Sequence, residues 1–329
     1  MEINRALLND FFNGLDERSR KALDSAVTKV VETKKKNGKV AVVTGSGPNI
    51  HEGVTTLIAE LIGKGIIDGV TTSSAVINHE MGGALDRVKM CDASQLGLDR
   101  TKMPRGNVFE FTDLSEEETD ILRKEMLLDE DLLKKGKSAE GRMVIKAAGN
   151  MAYPMGLRTE KIAEEILTLS RLSGLPFETI AGWGCDSRTM LGIGAEKGVP
   201  VLVTIPQMVG GGHVGLAVGD SIPVAERSKR IADMLGKADV IIESAVALTQ
   251  EIHDGPFETY TGHGIWSWWQ GQPVYSLEKK TLIRFDLDEN LRLAQDLQKE
   301  SSMIQEAIDK GLPKTKISKI PFRMEMSAF

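Results

Sequence analysis

The feature that most constrains this fold is an alternation. Short runs rich in β-branched residues are followed repeatedly by a glycine-bearing loop, and then by a stretch with apolar side chains at helical spacing. An apolar helical period over about Asp16 to Thr33 stops at "NGK". The run "VAVVTGSGPNIHEG" then reads as a buried strand, a glycine loop and a helix start, and "GVTTLIAELIGKG" as a helix ending at Gly65. "IIDGV" is the next strand, and "SSAVINHEMGGAL" a loop and helix. Further on, "LRTEKIAEEILTLSRLSG", "SRTMLGIGAEKG" and "VAERSKRIADMLGK" read as helices, while "VPVLVTI", "ADVIIES" and "TLIRFDLD" read as strands. A long helix, "ENLRLAQDLQKESSMIQEAIDKG", closes the pattern. Nearly continuous β-branched runs belong to strands covered on both faces, which parallel neighbours joined by helical crossovers provide. The expected fold is α/β: a doubly wound, mostly parallel, Rossmann-like sheet with an N-terminal helix and a helical insertion.

This reading divides the chain into an N-terminal helical segment (1–37), a single Rossmann-like domain (38–311) and an extended tail (312–329). The charge-rich helical stretch at about 114–141 breaks the alternation and is expected to be an insertion at the sheet edge, either a lid or an oligomer contact. At 329 residues, with 41% hydrophobic and 27% charged side chains, a sizeable core is available. The net charge of -6 argues against nucleic acid and anionic membrane as partners. The basic block "TKKKNGK" reads as a solvated helix end. No signal-peptide layout and no apolar run near the ~18 residues of a membrane span is found, so the chain is expected to be cytoplasmic. Two distant cysteines, Cys91 and Cys185, fit a reducing compartment and no zinc spacing; no metal is expected.

Several loops carry candidate chemistry. "VVTGSGPNIHEG" places Thr44, Gly45, Ser46 and Gly47 between strand and helix, where free amides and the helix dipole favour a phosphate. Ile50 stands where the dinucleotide fingerprint needs its third glycine, and the P-loop lysine is lacking, so a tight turn is the alternative. Ser73 and Ser74 follow the next strand and either line a ligand crevice or cap a helix. "AGWGCDSRTMLG" sets Cys185 before a helix, where the helix N-terminus lowers a thiol's pKa toward that of a nucleophile; no local base supports that role, and a buried structural cysteine is the preferred reading. "MVGGGHVG" contains Gly210, Gly211, Gly212 and His213. Three consecutive glycines carry a large backbone entropy and point to close approach of a ligand or to a flap, with His213 either an acid–base group or a loop hydrogen-bonder. "ESAVALTQEIHDGPFETYTGHG" gathers Glu243, Ser244, His253, Asp254, Glu258 and His263 after a strand. Their spacing matches no metal set, so a polar substrate pocket is preferred. Beyond it, "GIWSWWQG" concentrates Trp266, Trp268 and Trp269 in a chain that is only 5% aromatic.

The order of these pieces over roughly residues 38–290 resembles the deoxyhypusine-synthase-like NAD-binding superfamily, which includes deoxyhypusine synthase and NAD-dependent ornithine cyclodeaminases. The corresponding stretches are "TGSGPNIHEGVTTLIAELIGKGIIDGVTTSSA", "AAGNMAYP", "AEKGVPVLVTIP", "GGGH" and "ADVIIESAVALTQEIHDG". The resemblance implies NAD as cofactor, with Thr44, Gly45, Ser46, Ser73, Ser74, Ala245 and Asp254 near it, and Gly47 and Gly211 in the same loops. It implies a small-molecule amine or amino acid as substrate and a homo-oligomer. The synthase's Ser-Trp-Gly-Lys signature has its match in Ser267, Trp268, Trp269 and Gln270. The imine-forming lysine is missing, and an amide nitrogen forms no Schiff base. The expected activity is therefore NAD-dependent oxidation of an amine-bearing carbon, not the synthase reaction, unless Lys279 or Lys280 reaches in. Trp268, Trp269 and Gln270 would form the substrate pocket, Asp254 and Glu258 would hold the charge, and His213 or His263 would move the proton. The alternatives are a non-catalytic NAD or amine sensor, and an oligomer interface built on the tryptophans.

Overall fold

The computed structural model describes residues 5–45, 53–83, 85, 87–103, 107–144, 146–147, 152–244, 268–269, 272–273 and 280–285. In chain order the elements are α1 (Arg5–Gly14), α2 (Glu17–Lys35), β1 (Val40–Val43), α3 (Thr55–Gly63), β2 (Gly69–Thr72), α4 (Ser74–Met81), β3 (Val88–Asp92) and β4 (Val108–Thr112). There follow α5 (Glu116–Glu125), α6 (Glu130–Ser138), β5 (Gly141–Val144), β6 (Ala152–Tyr153), α7 (Met155–Ser173), α8 (Phe177–Gly182), α9 (Met190–Lys197) and β7 (Val201–Val203). The last are α10 (Gly212–Ser221), α11 (Val224–Lys237), β8 (Val240–Ser244), β9 (Trp268–Trp269), β10 (Gln272–Pro273) and β11 (Thr281–Phe285). Parallel strands alternate with helices, and the fold is the Rossmann-like, doubly wound α/β class that the alternation predicts.

The chain forms two compact units. One comprises residues 46–203 and 207–226, the other 2–45, 204–206 and 227–329. In the second unit β11, β8 and β1 lie side by side, all parallel, with Val40 opposite Val240 and Val43 opposite Glu243. All four residues of β1 are buried, as its β-branched sequence requires. The helix stop before β1 is explained locally. Asn37 takes a left-handed φ of 58°, and a side chain on Gly38 would collide with Thr33 Cγ2 at 2.6 Å and Asp239 Oδ2 at 2.8 Å. The final helix and the tail lie outside the described residues.

In the first unit β2 and β7 form a parallel pair, Val70 opposite Val201. Gly174 and Gly198 end α7 and α9 in the left-handed conformation that glycine adopts without strain. The same unit holds a second sheet, ordered β5-β3-β4-β6, with β3 antiparallel to β4 and β5 and β4 parallel to β6. The predicted helical insertion at 114–141 holds α5 and α6, which cover one face of this sheet: Phe111 on β4 packs with Leu122 and Leu133 in a shared core. Gly136 on α6 lies over the Phe111 ring, where a Cβ would come within 2.3 Å. These strands were not expected, because Lys89 and Glu110 break their apolar pattern. Both are buried with partners distant in sequence: the Lys89 amino group donates to the carbonyls of Lys137 and Ala139 at 3.1 Å, and Lys146 Nζ sits 2.7 Å from Glu110 Oε1. Among the described residues no helix is long and apolar enough to cross a membrane.

Candidate functional site

The residues predicted for the site fall in both compact units. In the second unit β1 and β8 run in register, so their chains leave the sheet side by side at Thr44 and Ser244. The Thr44 and Ser244 hydroxyls are 3.0 Å apart, and the Gly45 N–H donates to Ser244 Oγ at 3.4 Å. Ligands of open α/β sheets bind outside the carboxyl ends of adjacent strands, and small hydroxyl residues there leave room while offering rotatable hydrogen bonds. One position earlier on β8, Glu243 is 2% exposed and accepts from Arg284 Nε at 2.5 Å, directly across the ladder on β11. That pairing neutralises a buried carboxylate beside the edge. Thr44, which is fully buried, Gly45 and Ser244 thus bring two hydroxyls and an amide together at these strand ends. Ser244 lay within the predicted polar pocket segment, and its place beside Thr44 comes from the strand register.

In the first unit the carboxyl end of β2 leads into α4. Ser73 is the N-cap of α4, its Oγ accepting the Val76 N–H at 3.3 Å. Ser74 is buried and fastened to the triple-glycine turn. Its N–H and its hydroxyl both donate to the Gln207 carbonyl at 3.1 Å, and its oxygen accepts the Gly211 N–H at 2.9 Å. Asn78 Nδ2, one turn along, donates to the Gly211 carbonyl at 3.1 Å, and its Oδ1 accepts from Thr159 Oγ1 at 2.9 Å. The side chains of Ser73 and Ser74 are therefore engaged by the protein itself. The glycines follow from the same packing: a Cβ on Gly211 would lie 2.5 Å from the Ser74 carbonyl oxygen, and one on Gly215 would lie 2.5 Å from that of Met208. What approaches this turn closely in the structure is the backbone of α4. Nor is "GGGH" wholly a loop, since Gly212 and His213 begin α10. His213 is half-exposed, with Nε2 3.8 Å from Glu164 Oε1 on α7.

The third glycine turn, before α9, is closed to an anionic ligand by an unexpected residue. Glu80, at the end of α4, is fully buried and accepts the Met190 N–H at 3.2 Å and the Leu191 N–H at 2.8 Å, with the Thr55 hydroxyl donating to it as well. Thr189 Oγ1 accepts the next amide, that of Gly192, at 3.1 Å. A protein carboxylate thus stands where the helix N-terminus would hold an anion. Burial pushes the Glu80 carboxyl up to about 7, against the opposing pull of Thr55 and the two amides. Cys185 is half-buried in the same turn and its thiol donates to the Ala181 carbonyl at 3.2 Å. Burial, then the nearby Glu80 and Asp186 charges, push that thiol far above its ordinary value, the opposite of a nucleophile's tuning.

Ser46, Gly47, Ala245, Asp254, Glu258, His263 and Gln270 lie outside the described residues. Trp268 and Trp269 form β9, paired antiparallel with β10 so that Gln272 faces Trp269 and Pro273 faces Trp268. Lys280, considered as a replacement for the missing lysine, donates to the Gly236 and Ala238 carbonyls at 2.7 and 2.6 Å, at the end of α11. Burial lowers its pKa below the usual lysine value. Among the described residues no group of three or more His, Cys, Asp or Glu is placed to hold a metal.

No family model matches the sequence, and no curated protein matches it. Among solved structures, unliganded AgrE is similar at TM-score 0.43 and 11% identity, covering 92% of this chain and 34% of AgrE. An AgrE variant bound to L-arginine is similar at TM-score 0.41 and 10% identity, covering 90% of this chain and 34% of that one. The ternary complex of AgrE with ornithine and NAD+ follows at TM-score 0.39 and 12% identity, covering 73% and 26%. The chain spans about a third or less of the length of these structures.

Proposed function

We propose that this chain is an NAD-dependent enzyme that oxidises an amine- or amino-acid-bearing carbon to an imine, with a deoxyhypusine-synthase-like fold but not the synthase reaction. The observation that carries it is the edge made by Thr44, Gly45 and Ser244: two hydroxyls in mutual contact and an amide beside them, at the carboxyl ends of neighbouring parallel strands. NAD, when bound, supplies the hydride acceptor. Thr44, Gly45, Ser46, Gly47 and Ala245 hold its ribose and phosphates, while Ser73, Ser74 and Gly211 shape the second loop of the site. Asp254 and Glu258 hold the substrate's ammonium group, and Trp268, Trp269 and Gln270 wall its chain. The carbon gives up a hydride and its nitrogen a proton, which His213 or His263 accepts. With Gln270 at the position of the synthase's lysine, water adds to the imine, releasing ammonia and leaving a carbonyl. AgrE, seen with ornithine and NAD+, has ligands of the same classes; the proposal rests on the edge residues and not on that likeness. A cytoplasmic homo-oligomer is part of the same reading.

Titrating NAD while following tryptophan fluorescence and thermal stability tests the cofactor. Binding should be weakened about three- to tenfold by either Thr44→Val or Ser244→Ala, each removing one hydrogen bond. No response to NAD at millimolar concentration in either measurement sinks the reading. A second reading, a sensor that binds NAD or an amine without turnover, is favoured by one observation: Lys280, one of the two lysines considered for that role, is committed to the α11 carbonyls, while Lys279 lies outside the described residues. Incubating NAD with ornithine or spermidine and assaying ammonia separates the two, release meaning turnover.

A further inference from the structure

The buried carboxylate that caps α9 also does something that a cap alone does not require. Glu80 joins three helices at one point: its own α4, α9 through the Met190 and Leu191 amides, and α3 through Thr55. Its far neighbours on α4 are Ser73 and Ser74, and Ser74 holds Gly211. We propose that Glu80 is a proton-sensitive latch: one carboxylate fastens the starts of α3 and α9 to the end of α4, and its protonation state sets how firmly they are held. The chemistry permits both states. As a carboxylate, Glu80 accepts from two amides and the Thr55 hydroxyl. As a carboxylic acid, it still accepts from an amide through one oxygen while its O–H donates to Thr55 Oγ1, the hydroxyl reversing its role.

The described groups around it do not neutralise its charge. On α3 the contact is the uncharged Thr55. Before α9, Cys185 is held as the thiol, and Asp186 is paired with Arg188 at 2.7 Å. On α8, Glu178 is buried and accepts the Val203 N–H at 2.7 Å. On α4 itself, His79 Nδ1 lies 3.0 Å from the Ala147 carbonyl. No described cation makes an ion pair with Glu80, so burial dominates and its folded pKa of about 7 exceeds the ordinary 4.5. The sign follows. The folded state holds this proton more tightly, so the stabilisation is complete below about pH 4.5 and is lost as pH rises through about 7.

Amide hydrogen exchange on the full chain tests it, read at Thr55–Ala59 and at Met190–Gly192 between pH 5 and 8.5 and corrected for intrinsic rates. In the wild type the opening constant should rise by up to about tenfold per pH unit between pH 5 and 7 and then level off. In Glu80→Gln, whose amide reproduces the neutral hydrogen bonds, it should be flat. Coinciding profiles overturn the latch. If Glu80→Gln does not fold, Thr55→Val and Thr55→Ser decide. Removing the hydroxyl should move the midpoint to higher pH while the serine leaves it in place, and no movement with valine overturns the proposal. A further consequence rests on the cofactor reading above: NAD affinity, through Ser74 and Gly211, should weaken with rising pH in the wild type and not in Glu80→Gln. If the wild type binds no NAD at any pH, that reading falls and the exchange profiles still decide on Glu80.

Discussion

Replacing the three glycines of "GGGH" one at a time separates the packing explanation from a ligand one. A Cβ on Gly211 would meet Ser74 O at 2.5 Å, Ser74 C at 2.7 Å and Ser74 Oγ at 3.0 Å. These belong to the backbone and first residue of α4, which cannot swing aside as a flexible side chain would. Gly211→Ala is therefore expected to cost about 1–3 kcal/mol, the usual range for overpacking. Gly212 is limited differently, by φ 60° and ψ −136°, a region essentially reserved for glycine, so Gly212→Ala should also cost about 1–3 kcal/mol. Gly210 is exposed, and its nearest contact would be Ala75 Cβ at 3.9 Å, ordinary van der Waals separation. Gly210→Ala should be neutral, or stabilising by about 0.4–1 kcal/mol through the unfolded chain. Thermal melts read these as losses of roughly 2–10 °C for the first two variants and little change for the third. Equal losses at Gly210 and Gly211, or none at Gly211, would refute the packing argument. Loss of NAD binding in Gly210→Ala with unchanged stability would show instead that ligand approach selects that glycine.

Lys146→Met should destabilise by about 3–5 kcal/mol, because it strands the buried Glu110 carboxylate; adding Glu110→Met should recover most of the loss, a double-mutant cycle in melting experiments deciding. Cys91 and Cys185 both have thiols whose pKa burial raises, so a thiol reagent at pH 8 should label neither quickly in the native chain and both on unfolding, whereas rapid stoichiometric labelling of Cys185 in the folded protein would revive it as a nucleophile.

The parts of the fold that could be read from sequence are those whose burial is encoded locally. β1, β7 and β8 are β-branched because both faces are covered, and α7 and α9 announce their ends with Gly174 and Gly198. The second sheet could not be read this way. Lys89 and Glu110 look like surface residues, and only the carbonyls of Lys137 and Ala139 and the ammonium of Lys146 make their burial tolerable. α10 was hidden for a related reason: it opens with residues of poor helix propensity, which the close packing of α4 against the turn requires. The candidate cofactor edge was half legible. Thr44 stands out in its glycine loop, but its pairing with Ser244 spans 200 positions and depends on strand register.

A glycine turn before a helix is a weak sign of a phosphate site for a reason this chain makes plain. The motif shows that amides are available in the local sequence, but a distant residue decides whether they remain so. At α9 the first two helical amides are taken by Glu80, whose contacts lie 110 and 111 positions away. At α4 the amide of Ser74 goes to the Gln207 carbonyl and that of Val76 to Ser73. By contrast, among the described residues the Gly45 amide and the two hydroxyls after β1 and β8 bond to one another, through contacts of 3.0–3.4 Å. Such bonds between rotatable hydroxyls are exchanged for ligand bonds without leaving a buried charge or a helix end unpaired. By that criterion the edge at Thr44 and Ser244 is the one of the three where a ligand would displace least, and Glu80 is the residue that closes the α9 turn. Glu80→Ala should therefore leave an anion-sized vacancy at the α9 N-terminus. Sulfate or phosphate at millimolar concentration should restore part of its lost stability and none of the wild type's, and equal salt responses in the two would refute the comparison.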